Sequence, residues 1–288
     1  AFTPALETFG GPAVFVGAFG AGFETLWGRA FVGAATGRGQ VTMATTDDGA
    51  LVVAGTFHES LVTEEGALSS TGPSDAYVAR LSPEGEAEWL VTLGGPGVLH
   101  LELGASAASG SDVVIAGQLR GTLRSASGTV LAESGDAQRT FLARFDETGA
   151  LTSLRMLESA GSAAVSRLAI RDGGLLASVA FSGAIATQTG DVVSAGEADA
   201  SLLWLDGAGA PLFGRAWGDR HSQQIVSLDI APGGDILASG SFTGTLDFGD
   251  AFYKTDDGRP DGFAVALSPT GVARRSVVTT DVPPAEGS

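Results

Sequence analysis

The chain contains only three histidines, His58, His100 and His221. Each has an acidic residue close by in sequence, namely Glu59, Glu102 and Asp219. Imidazole with carboxylate is a donor set suited to zinc or another divalent ion. His58 opens one predicted loop, and His100 and His221 stand in or at the end of two others. All three loops emerge at the same end of their repeats, which predicts that they line one mouth of a channel. None of the three has the His-x-x-His or His-Glu-x-x-His spacing of a local metal motif, and the competing reading is three unrelated loop histidines. A second candidate is Thr255-Asp256-Asp257-Gly258-Arg259-Pro260-Asp261. Asp256, Asp257 and Asp261 bring three carboxylates into one short loop, a composition that suits calcium, but without the spaced acidic pattern of a calcium-loop helix pair. A third is Trp217 with the following Asp219 and Arg220, where an indole beside two charged groups could hold a ligand such as a sugar. Against that stands the commoner use of a repeated tryptophan as core packing.

Other chemistry finds little support. There is no cysteine, so disulfides, thiolate metal sites and cysteine nucleophiles are excluded. No Gly-x-Ser-x-Gly elbow occurs, and no serine stands at motif spacing from a histidine. Gly10-Gly11, Gly17 to Gly22 and Gly94-Gly95 are glycine-rich, but no amphipathic helix follows any of them to make a phosphate cradle. Asp47-Asp48-Gly49 is explained as a hairpin turn. Lys+Arg is 16 against Asp+Glu 33, a net charge of −17. Such a surface repels nucleic-acid backbones and anionic lipid. No apolar run reaches the ~18 residues of a membrane span.

The elements that position these residues follow from an internal repeat. Asp75–Trp89, DAYVARLSPEGEAEW, recurs in weaker form at 139–154, 200–213 and 261–275, with a degraded copy at 12–27. Gly22, Gly85, Gly149, Gly209 and Gly271 mark one turn of the motif, at spacings of 63, 64, 60 and 62 residues. A small-residue kink, at Gly55, Gly117, Val179 and Gly240, repeats at 62, 62 and 61. Two landmarks with one period define a repeat of about sixty residues, longer than the usual propeller blade of about 40–50, and the excess is assigned to a long loop in every copy. Each copy reads as four strands. An Asp-Gly or Gly-Gly hairpin joins the first two, and the long loop joins the second and third. A Ser-Pro-Glu-Gly type of turn then leads to a fourth strand carrying a large residue, Trp27, Trp89, Leu154 or Phe213, as a wedge between sheets. Ser162–Leu168 is alanine-rich, but its register makes it a strand.

Four antiparallel strands cannot bury both faces alone, so the sheets must stack, and closing them into a ring leaves no long free edge. The expectation is all-β: a β-propeller of four-stranded antiparallel blades, four complete and one partial at the N-terminus, a five-bladed ring being favoured over a linear solenoid. The repeats fall at about 1–30, 31–94, 95–157, 158–217 and 218–280 of one domain, with a tail at 281–288. The chain opens on Ala1 rather than methionine, so upstream residues or a partner chain are expected to donate the missing strands.

Asp-Ala-Tyr-Val-Ala-Arg-Leu-Ser-Pro-Glu-Gly followed by Trp89, and DGFAVALSPTG at 261–271, resemble the bacterial β-propeller repeat family of SBBP type. That resemblance implies an exported or cell-surface protein with a display or binding role, and carries no catalytic residues over. The expected function is therefore a non-enzymatic module whose loops contact a protein or a polysaccharide, with no cofactor unless calcium or another divalent ion binds. A metal-assisted lyase or hydrolase, and a spacer in a larger surface assembly, are the alternatives.

Overall fold

One turn geometry recurs along the chain and sets the strand pattern. In Ser82–Glu86 the amide of Gly85 donates to the carbonyl of Ser82, and the amide of Ser82 to the carbonyl of Glu86. Gly85 has a φ of 85°. This is a type I turn followed by a left-handed residue, the three-residue hairpin that matches strand twist. Thr46–Ala50, Asp146–Ala150, Asp206–Ala210, Ala231–Asp235 and Ser268–Val272 close in the same way. At the N-terminal hairpin the left-handed position belongs to Phe23, with a φ of 62°, and not to Gly22. The landmark there stands one residue later than the sequence reading placed it, 62 residues before Gly85.

The computed structural model describes residues 13–34, 41–110, 112–125, 128–171, 173–196, 198–255 and 258–279. Among them every regular element is a β-strand, and all pairings between strands are antiparallel. The chain divides into two compact units, Ala1–Leu157 and Glu158–Ser288.

In the first unit, β1 (Ala13–Phe19) and β2 (Thr25–Ala34) form a hairpin. β3 (Val41–Thr45), β4 (Leu51–Thr63), β5 (Gly66–Ser69), β6 (Asp75–Leu81) and β7 (Ala87–Leu93) follow. All seven belong to one sheet, in the order β1-β2-β4-β6-β7 with β3 and β5 also on β4. The partial first repeat is thus joined to the second and is not a sheet of its own. β4 is long enough to pair with β3 and β6 in its first half, and with β5 and β2 beyond it. β8 (Val98–Ser109), β9 (Asp112–Arg124), β10 (Val130–Phe145) and β11 (Leu151–Met156) make a second sheet in the order β11-β10-β9-β8. In the second unit, β12 (Ala163–Arg171), β13 (Gly174–Phe181), β16 (Ala200–Leu205) and β17 (Pro211–Trp217) form one four-stranded meander, with β14 (Ala184–Ile185) and β15 (Val192–Val193) as a small separate hairpin. β18 (Gln223–Ile230), β19 (Ile236–Phe242), β22 (Asp261–Leu267) and β23 (Ala273–Thr279) form another, with β20 (Thr245–Asp247) paired to β21 (Phe252–Lys254). The alanine-rich 162–168 segment lies in strand β12, as its register requires.

The long loop of each repeat is a second, smaller hairpin: β4 with β5, the outer halves of β9 and β10, β14 with β15, and β20 with β21. That hairpin accounts for the excess length of the period. The kink glycines are not turns. Gly117 and Gly240 sit opposite bulges in β8 and β18, where the register slips between Leu103 and Ala105 and between Ile225 and Ser227. The carbonyls of Glu102 and Gln224 occupy the space a side chain would need, so close backbone approach selects glycine here.

Repeats pack through a recurring wedge. The ring of Trp27 lies against Gly85, that of Trp89 against Gly149, and that of Trp204 against Gly271; a Cβ at these glycines would meet the rings at 2.5, 2.9 and 2.6 Å. Trp27 Nε1 donates to the carbonyl of Pro83 at 2.8 Å, and Trp204 Nε1 to that of Pro269 at 3.0 Å. Arg29 Nε and Arg215 Nε brace the same turns through the carbonyls of Gly85 and Thr270. In the fourth repeat the wedge comes from β16, because Phe213, at the position the sequence assigns, stacks behind Trp204 at 4.5 Å. Around the wedges, among the described residues, lie three apolar clusters. One joins Val16 and Phe31 to Val53, Phe57 and Tyr77; the second joins Val52 and Val78 to Ile115, Phe141 and Phe145; the third joins Leu176 and Leu202 to Ile225, Ala238 and Val265.

The wedge separates two glycines of similar φ. Gly271 and Gly249 have φ of 77° and 93°, and a Cβ at Gly249 would meet nothing within 4 Å. Gly249→Ala should cost about 1 kcal/mol for its backbone alone. Gly271→Ala adds a collision with Trp204 and should cost about 2–5 kcal/mol in urea unfolding. Equal losses would show that the ring contact contributes nothing.

Candidate functional site: a polar cleft between two loops

A cleft of about 600 Å³ opens in the second unit, lined by Asp219, Arg220, His221, Thr243, Gly244, Thr245, Lys254, Thr255 and Gly258. One wall is the connection 218–222 between β17 and β18. The other comes from the β19–β22 connection, which carries the β20–β21 hairpin.

Asp219 is the keystone of the first wall. Its Oδ1 accepts from the His221 amide at 2.9 Å, from His221 Nδ1 at 3.0 Å and from Gln223 Nε2 at 2.9 Å. Its Oδ2 accepts from the amide and the hydroxyl of Thr245, both at 2.9 Å. Partial burial opposes its charge, but the hydrogen bonds from His221 and Thr245 outweigh it and hold the carboxyl well below the usual carboxylate range. The residue therefore ties 218–222 to β20, and its lone pairs are spent on the protein.

Behind it, buried Gln223 donates from Nε2 to Asp219 Oδ1 and to the carbonyl of Thr243 at 2.8 Å. Its Oε1 is buried and has no donor. Asp199, 2% exposed, accepts the amide of Ala195 at 2.7 Å through Oδ2, while its Oδ1 is likewise buried without a partner. Burial, with the nearby Asp219 charge assisting, pushes the Asp199 carboxyl up against the pull of its hydrogen bonds.

Asp199 belongs to a motif that the sequence reading passed over. Ser70-x-Gly72-x-x-Asp75 and Ser194-x-Gly196-x-x-Asp199 fold alike. In both the serine hydroxyl donates to the glycine carbonyl at 3.1 Å, and the aspartate accepts the amide four residues back. A Cβ at Gly94 would overlap the Asp75 carboxylate, and one at Gly218 would lie 2.9 Å from Asp199 Oδ1. The signal was the shared spacing, visible once the leading aspartates of the third strands are aligned. Arg139 takes that position in the third repeat.

The other expected site residues are placed as follows. Trp217 is buried and packs on Phe248 at 5.5 Å, so it is a core residue closed to ligands; as the last residue of β17 it points into the sheet interface. Arg220 is exposed at the cleft and has no hydrogen bond or ion pair among the described residues. His58 lies within β4, not in a loop, with Nδ1 2.7 Å from the carbonyl of Pro73. His100 lies within β8, opposite Arg120, with Nε2 3.5 Å from Glu102. Both corrections have one cause: the secondary hairpins and the long β8–β10 strands extend regular structure into what the sequence read as loop. Glu59 is exposed in β4 at a φ of 60°. Asp261 opens β22 opposite Phe242. Asp256 and Asp257 lie outside the described residues. Among the described residues no group of three or more histidine, aspartate or glutamate side chains is placed to hold a metal ion.

No family model matches the chain, and no curated protein matches it. Solved structures similar to it include the hydrazine synthase of Kuenenia stuttgartiensis, at 10% identity and a TM-score of 0.39 over 86% of this chain and 68% of that one. Another is a subtype N11 neuraminidase-like protein of A/flat-faced bat/Peru/033/2010 (H18N11), at 11% identity and a TM-score of 0.38 over 86% of this chain and 57% of that one. At that similarity neither fixes the topology of this chain.

The pinned carboxylate gives a pH signature. A depressed folded value means that the stabilisation is complete above the ordinary aspartate value of about 3.9 and is lost as pH falls below it. Asp219→Asn should lower the melting temperature at neutral pH, and the gap to wild type should close as pH drops from about 5 to about 2. A gap that stays constant across that range would mean the residue acts through its shape and not its charge.

Proposed function

We propose that the chain is a non-enzymatic binding module whose repeats are blades of a propeller, a five-bladed ring being the arrangement that suits the period. The cleft at Asp219–Thr255 takes a polysaccharide. The observation that carries this reading is the chemistry of the cleft wall. Thr255 Oγ1 accepts from the amide of Gly244 and keeps its own proton for a ligand. Thr243 Oγ1 donates to the carbonyl of Ser222 and keeps its lone pairs. With Arg220, which has no ion pair among the described residues, and the cleft's size, inside the usual range of about 300–1,000 Å³ for small-ligand sites, this mixture of donors and acceptors matches sugar hydroxyls. An extracytoplasmic, bacterial setting accompanies this reading through the resemblance of the repeat motif.

A metal-assisted lyase or hydrolase is the second reading, and the Asp219–His221 pair is the observation in its favour.

Screening the protein against a polysaccharide array should find a ligand. Arg220→Ala should weaken it about tenfold to a hundredfold, the value of a charged hydrogen bond of about 1.5–3 kcal/mol, with melting temperature unchanged. Absence of any polysaccharide ligand for wild-type protein would sink the reading. A protein ligand lost on the same substitution would replace it, and a stoichiometric divalent ion lost in His221→Ala would favour the enzyme.

A further inference from the structure

Two buried acceptors, Gln223 Oε1 and Asp199 Oδ1, lie close to the same glycine behind the cleft. Gln223 cannot be turned round to relieve this. Its Nε2 faces Asp219 Oδ1 and the Thr243 carbonyl, both acceptors, so its Oε1 must face the other way. There it lies beside Gly218, as does Asp199 Oδ1. Among the described residues neither oxygen has a donor, and both are sealed from solvent. Two buried acceptors turned toward one point are costly unless a hydrogen stands between them. The approach at Gly218 is so close that a single added side-chain carbon would meet both oxygens. A proton is the bridge that needs no room.

We propose that Asp199 is held as the neutral acid in the folded protein, donating from Oδ1 to Gln223 Oε1, and that this makes it the positioning residue for the cleft. The inference extends the binding reading above and rests on it for the role, though not for the proton itself. The chain of bonds runs from the 194–199 loop through Asp199 to Gln223, from Gln223 to Asp219, and from Asp219 to Thr245 on the opposite wall. The same loops are stitched by the Gln223 amide, which donates to the carbonyl of Ala198 at 2.7 Å, and by packing of Gly196 on the backbone of Arg220. Losing the Asp199 proton would leave a buried charge against the Gln223 Oε1 acceptor and near the Asp219 carboxylate, and the wall carrying Arg220 would loosen.

The groups that face Asp199 decide how this titrates. Among the described residues the 218–222 connection supplies Asp219, Arg220 and His221, β18 supplies the uncharged Gln223, and its own loop supplies the Ser194 hydroxyl and the Ala195 amide. A carboxyl favoured in its neutral form contributes stability that is full below the ordinary aspartate value. That contribution drains away as pH rises toward the folded value. The informative quantity is the difference between wild type and a variant that keeps every other charged group of the site.

Asp199→Asn supplies a permanent donor of the same shape. The variant should melt at or above the wild-type temperature at pH 7, and its advantage should grow as pH is raised from about 4 to about 8. In wild-type protein, the NMR shift of the Asp199 carboxyl carbon needs no variant and should still report the neutral acid at pH values above the ordinary aspartate value of about 3.9. A carboxyl midpoint at or below about 4, or a variant that loses ground as pH rises, would overturn the proposal. Polysaccharide affinity read on both proteins separates the two claims. Wild-type binding that weakens as Asp199 titrates, while the variant stays flat, supports the positioning role. Equal pH profiles in the two proteins refute that role. No binding by either, with the NMR result intact, refutes the cleft reading and leaves the proton in place.

Discussion

An indole ring laid on a left-handed glycine is the contact on which this architecture depends. Glycine is needed at Gly85, Gly149 and Gly271 for two reasons that act together. The turn requires a positive φ, which costs other residues about 1–2 kcal/mol, and the ring of Trp27, Trp89 or Trp204 fills the place of a side chain. The turn is thus shaped to receive the tryptophan, and the tryptophan seals the turn. Where proline precedes the glycine by two positions, its carbonyl also accepts the indole N–H, as at Pro83 and Pro269. Glu147 stands at the equivalent place opposite Trp89, and there the indole nitrogen is buried without a partner. The same wedge is therefore built with and without its hydrogen bond, which says that ring burial, more than the N–H bond, holds neighbouring sheets at their spacing.

With the turn end of each sheet fixed in this way, the opposite end is free to vary. Each of the four full repeats adds a small hairpin there, and its sequence differs from copy to copy. The Ser-x-Gly-x-x-Asp closure in two of the repeats anchors the base of that hairpin to the sheet, so that the variable part is carried on a fixed stem. The cleft forms where one such hairpin, β20–β21, meets the connection preceding its own sheet. The cleft therefore lies on loops carried by a stiff scaffold, the usual place for variation between repeats.

What could be read in the sequence is what repeats. Gly85, Gly149, Gly209 and Gly271 announced the turns because positive φ leaves a residue-type signature. The strand pattern followed, even for alanine-rich β12. What could not be read depends on neighbours. Gly117 and Gly240 looked like kinks along one strand, yet the requirement lies in the carbonyls of β8 and β18 beside them. Phe23 took the left-handed position from Gly22 because the hairpin register, not the residue type, decides which residue sits there. His58 and His100 were read as loop residues because the secondary hairpins have no strong alternation of polar and apolar positions. Trp217 was offered to ligands because a chain position next to a polar loop does not reveal which way an indole points at the end of a strand.

The two aspartates of the second unit show most plainly where sequence reasoning stops. Asp199 and Asp219 are the same residue type, twenty positions apart, and both are partly or wholly withdrawn from water. Asp219 receives five hydrogen bonds and is pulled toward its charged form. Asp199 receives few, faces an amide oxygen, and is pushed toward its neutral form. Nothing in their immediate sequence foretells this. The difference comes from Gln223, whose single amide gives both of its hydrogens to one side and so turns its oxygen to the other. A group with two faces of opposite polarity, buried between two carboxyls, must sort them into one ion and one acid.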